Sequence, residues 1–109
     1  MEKPARIMED PSRQEKLTPK ARQALKAQAH KLEPVVTIGG KGLTEAVLHE
    51  IDFALKSHEL LKIRAGSMER AERQAAFEAI CQRTGAQPVQ HVGKVFVVYR
   101  KREEEQEDG

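Results

Sequence analysis

Four residues in this sequence could do chemistry as a unit: Gly39-Gly40-Lys41-Gly42, set between Val35-Val36-Thr37-Ile38 and Thr44. Glycine has no Cβ, so it allows positive φ and lets another backbone come close. A helix opening after the loop would add unpaired N–H groups and a partial positive charge. Lys41 places a cation at the tip. Together these features suit a phosphate. Two nucleotide-cofactor patterns do not fit. A P-loop needs Ser or Thr after Gly-Lys, where this chain has Gly42, and a dinucleotide fingerprint needs a third glycine where it has Glu45. A tight strand-to-helix turn without a ligand is the alternative reading of the loop.

The other candidates for chemistry are weaker. His49-Glu50-Ile51-Asp52-Phe53 begins like a zincin helix, but Phe53 stands where the second histidine must be; after His58-Glu59, Lys62 fills that place. His30 and His58 fall at expected element ends, where a structural hydrogen bond is the simpler role. Cys81 follows Ile80 on an expected helix and reads as a packed small hydrophobe. Glu103, Glu104 and Glu105 form a solvated charge run. Lys94 to Tyr99 faintly resembles the aromatic strand of an RRM, yet Val97 and Val98 read as core. No catalytic constellation emerges, so a non-enzymatic protein with no metal and no cofactor is expected.

The elements that must position the loop are legible from periodicity and caps. Thr18-Pro19 opens a helix, with Leu17, Ala21, Leu25, Ala29 and Leu32 as its apolar stripe and Pro34 as its stop. Val35 to Ile38 reads as a short buried strand. Thr44 caps a second helix, whose apolar face is Val47, Leu48, Ile51, Ala54 and Leu55. Leu61, Ile63 and Ala65 alternate with Lys62 and Arg64, which predicts a strand with a basic outer face. Ser67 opens a third helix packed through Ala76, Phe77 and Ile80 and closed by Gly85. Val89–Val92 and Val95–Tyr99 flank Gly93-Lys94 as a hairpin. The order αβαβαββ predicts an α/β fold: a four-stranded mixed sheet, with helices mainly on one face.

At 109 residues the chain has room for one domain. Its formal net charge of +2 hides a segregation. Residues 1–16 are neutral, mixed in charge and interrupted by Pro4 and Pro11; residues 103–109 carry five acidic groups and no basic one. Both are expected to be disordered tails. Between them, residues 17–102 hold 15 basic and 8 acidic residues, a net +7 that would attract a polyanion. No apolar run approaches the ~20 residues of a membrane span, and the N-terminus has no secretory core. A single cysteine cannot make an internal disulfide, so the cytoplasm is the expected compartment.

The stretch Leu17–Arg100 resembles the CRM domain (chloroplast RNA splicing and ribosome maturation), in its stand-alone bacterial YhbY-like form. The resemblance rests on Ala29-His30-x-Leu32-x-Pro34-Val35-Val36 and Ile38-Gly39-x-x-Gly42-Leu43-Thr44-Glu45. It continues through Glu50-Ile51, Ala54-Leu55, His58-Glu59-Leu60-x-Lys62, Thr84-Gly85-Ala86 and Val92-Gly93-Lys94. It implies a single αβαβαββ domain similar to the C-terminal domain of translation initiation factor three. It also implies RNA binding through a Gly-x-x-Gly loop, here Gly39 to Gly42, as KH domains clamp a backbone. The implied partner is ribosomal RNA in precursors of the large subunit, with ribosomal proteins as further possible contacts. Around the loop, Lys20, Arg22 and Lys26 on the first helix and Lys62 and Arg64 on the second strand are expected to extend the RNA track. The protein is expected to act as a monomer. The alternatives are a module reaching the ribosome through a protein partner, or a translation factor on mature ribosomes.

Overall fold

The computed structural model describes residues 16–102; the expected tails, apart from Lys16, lie outside the described residues. Thr18 is extended and its Oγ1 accepts from the Ala21 N–H, so helix α1 runs Pro19–Ala29 with proline where no N–H partner is needed. It ends well before Pro34, correcting the expected stop. His30 caps it, and the carbonyls of Ala29 and Leu32 accept from Lys62 Nζ at 3.1 and 3.2 Å. A cation thus joins the Leu32 N–H on the Ala29 carbonyl and takes the Leu32 carbonyl at the partly negative end of the helix, and Leu32 falls outside the helical stripe.

Strand β1 is Val36–Thr37, extended by the Val35 and Ile38 N–H groups, which donate to Lys62 and Arg64 carbonyls at 2.9 and 2.8 Å. Helix α2, Glu45–Ser57, starts at Thr44, whose Oγ1 accepts from the Val47 N–H. Strand β2 is Leu60–Arg64. Helix α3, Arg70–Thr84, starts later than Ser67 suggested: Glu69 and Glu72 form a reciprocal capping box that sets its first turn. Gly85 at φ 79° closes it. Strands β3, Gln87–Val92, and β4, Val95–Tyr99, complete the expected hairpin around Gly93-Lys94.

The sheet order is β1-β2-β4-β3, with β1 parallel to β2 and both other pairs antiparallel. Alternation along the strands sends two sets of side chains to opposite faces. Ile38, Leu61, Ile63, Phe96 and Val98 meet Ile51 and Leu55 of α2 and Phe77 and Ile80 of α3, forming the main core. Val97 and Val89 meet Ala29 and Leu25 of α1 on the other face. The helices are therefore divided two against one, and α1 departs from the expected single layer. A bulge between Pro88 and Gln90 in edge strand β3 admits Val89 as an extra residue and brings it to α1. Arg22 Nε takes the Pro88 carbonyl at that irregularity, at 3.2 Å.

Candidate nucleic-acid interface

The glycine loop is a closed turn at the end of β1. The Gly42 N–H donates to the Gly39 carbonyl at 3.0 Å, leaving Gly40 and Lys41 as its two exposed central residues. The three glycines are not equivalent. Gly42 has φ 80°, a left-handed conformation that an L side chain occupies at a cost, so the turn itself requires it. Gly39 and Gly40 lack positive φ, and a Cβ added at either would meet nothing within 4 Å. Internal packing gives no reason for glycine there; close approach of another molecule's backbone does. Lys41 makes no ion pair with the described residues, and the α2 N-terminus begins three residues beyond the turn.

Register brings two more cations to this end of the sheet. Arg64 lies in line with Thr37 of β1 and Val95 of β4, and its carbonyl accepts from Ile38, the residue before the loop. The Ala65 N–H donates to the Lys94 carbonyl at 2.7 Å, holding the hairpin tip beside β2. Lys41, Arg64 and Lys94 are all exposed there. The sequence gives Lys94 only as a turn residue; its place in the group follows from strand pairing. A basic residue at a hairpin tip was the one available signal.

The remaining predicted residues divide. Lys20 and Lys26 lie on α1, Lys20 exposed and Lys26 half-buried. Arg22 is half-buried with one donor committed to Pro88. Lys62 projects onto the same face of the sheet, but its ammonium is bound to the end of α1, which makes it a structural clamp as well as a charge. Glu33 is the one acid in the segment from α1 to β1.

Charge is partitioned across the sheet. Helix α1 carries three basic residues and no acidic one, and Lys62 and Arg64 share its face. On the opposite side, α2 and α3 together carry five acidic against four basic residues. Several of those are matched pairs. Glu45 meets Arg83 at 2.8 Å, and Asp52 meets Arg100 at 2.7 Å. The Arg100 hydrogen bond holds the Asp52 carboxyl below the usual carboxylate value against a smaller opposing effect of burial, and Arg83 does the same for Glu45. The +7 of the domain therefore belongs to the α1 side and to the loop end.

Among the described residues no three His, Cys, Asp or Glu side chains gather as metal ligands. Burial pushes the Cys81 thiol up to about 11, the reverse of an activated nucleophile. His91 packs against Phe77 and Phe96 and meets Gln74 at 3.0 Å, a structural role. Phe96 is fully buried, so β4 offers no ring from its centre for RRM-type stacking. No described helix is long and apolar enough to cross a membrane.

Comparison with known proteins follows the same architecture. An RNA-binding protein of Haemophilus influenzae is 47% identical over 88 residues, covering 81% of this chain and 89% of the relative. A Pseudomonas aeruginosa protein whose name gives RNA binding as its expected role is 39% identical, over 78% of this chain and 82% of its own. The solution structure of a Staphylococcus aureus protein, described as a candidate RNA-binding protein, superposes with a TM-score of 0.72 at 29% identity. That match covers 83% of this chain and 94% of the other. The model of the CRS1 / YhbY (CRM) domain matches residues 17–100, the whole sheet with its three helices, and the chain is a member of that family.

Proposed function

We propose that this protein binds RNA, without catalysis, as a cytoplasmic ribosome assembly factor acting on ribosomal RNA in precursors of the large subunit. The observation that carries the reading is the one-sided charge: α1 has cations only, and its face continues through Arg64 to a glycine turn with two open glycines. Gly39, Gly40 and Gly42 let the RNA backbone approach, and Lys41 meets a phosphate. Lys20, Arg22 and Lys26 continue the track, with Arg64 beside the loop and Lys62 contributing charge from its clamp. Lys94 joins this set. Such a surface reads backbone geometry more than base sequence. The relatives' names agree with RNA as the ligand, and the family resemblance supplies the ribosomal target.

Purified protein titrated with purified ribosomal RNA tests the first half. Binding without any added protein, weakening steeply with salt, is expected. Sedimentation of cell extract tests the second, with the protein following immature large-subunit particles. Finding it only on mature ribosomes would make it a translation factor instead. One observation favours the alternative of a protein-mediated route: Phe53 is 72% exposed on α2, on the acid-rich side. Absence of binding to naked RNA, with retention on particles, would select that route.

A further inference from the structure

The two faces of the sheet are unequally covered. Helices α2 and α3 seal one face, where Ile38, Ile63 and Phe96 are fully buried. The other face has α1 alone, packed on β2, on β3 and on Val97 of β4. Thr37, Arg64, Val95 and Val92 stand side by side across all four strands in the row nearest the loop, and all but Val95, which packs half-buried against the Ala29, Val89 and Val97 cluster, lie bare. Thr37 and Arg64 are exposed, and Val92 is 58% exposed. Val35, just before β1 and two residues from Thr37, is 51% exposed. The exposed apolar surface of these valines would be favourably removed from water by a partner lying on this face.

Charge complementarity identifies the covering group. The bare row contains no acid, and it is bordered by Lys94 on the hairpin and Lys41 on the turn. The Arg64 guanidinium has no side-chain partner among the described residues. An apolar shelf beside a planar cation, with lysines at its rim, matches a nucleobase and its phosphates. A duplex buries its base faces internally and could meet only the lysines. We propose that the bare row is a platform for unpaired RNA nucleotides, which lie on Val35 and Val92 and stack on Arg64 while the glycine turn holds the adjoining backbone. This rests on the RNA-binding reading and adds to it a preference for single-stranded segments.

The test uses the full chain, a short uridine oligonucleotide and a fully paired RNA duplex of equal length. Val35 and Val92 are half exposed, so a V35S/V92S variant keeps the core intact, which thermal unfolding would verify. It should bind the single strand about fivefold more weakly and the duplex within about twofold of the parent. Arg64→Lys, which keeps the charge and loses the plane, should weaken single-strand binding more than duplex binding. Equal losses on both RNAs, or none on the single strand, overturn the platform and leave the RNA-binding reading standing. A parent protein that binds the duplex but not the oligonucleotide has the same meaning. A parent that binds neither overturns both. A dimer in sedimentation that V35S/V92S dissociates would assign the patch to self-association and overturn the proposal.

Discussion

At the scale of single residues, the glycine turn separates into a structural and a functional part. Gly42→Ala forces a Cβ into a left-handed conformation and should lower stability by about 1 kcal/mol. Gly39→Ala and Gly40→Ala create no contact, so each should stay within about 0.5 kcal/mol of the parent. Gly40→Asp should fold normally and lose RNA affinity, because it sets a side chain and a negative charge where the phosphate approaches. Thermal unfolding and RNA titration on the same variants check both halves. Loss of stability at Gly39 or Gly40, or full affinity in a folded Gly40→Asp, would contradict this division. The sequence shows three glycines of equal standing; only the path of the backbone distinguishes them.

At the scale of elements, Arg100 links the far end of the fold. Its guanidinium reaches the Asp52 carboxylate and the carbonyls of Thr84 and Asp52, so it joins α2 to the last turn of α3 from the end of β4. Arg100→Ala should cost about 2 kcal/mol, and Arg100→Lys should recover little of it, since one ammonium cannot satisfy that fork. The pair also sets an acid dependence. The folded carboxyl of Asp52 is held below its unfolded value, so its contribution is present above the ordinary carboxylate range. It fades as pH falls through the lowered folded value. Asp52→Asn should therefore flatten the acid limb of the stability curve as pH falls through and below the ordinary carboxylate range. Helix starts at Thr18 and Thr44 were legible because a cap lies within three residues of what it caps. The end of α1 was not, because it depends on Lys62, far along the chain.

At the scale of the whole molecule, RNA affinity should depend on which side a charge occupies. Lys20→Glu on the exposed surface of α1 should weaken RNA binding several-fold and reduce the salt slope by roughly one to two. Glu50→Lys on α2, a change of the same size and opposite sign, should leave affinity within about twofold. Titrations at several salt concentrations compare them directly. Equal and opposite effects would mean that net charge alone governs binding and that the partition across the sheet is irrelevant.

Taken alone, the sequence determined the element order, the N-caps of α1 and α2, the hairpin turn and the Gly39–Gly42 loop, because each is written in neighbours along the chain. It also determined that the domain is basic. The tertiary structure decided that α1 lies opposite α2 and α3, since any amphipathic helix can pack on either face of a sheet. It decided that Lys62 clamps a helix end, and that Arg64 and Lys94 stand beside the glycine turn. Those are outcomes of strand register, which joins residues far apart in the chain and leaves no local signature.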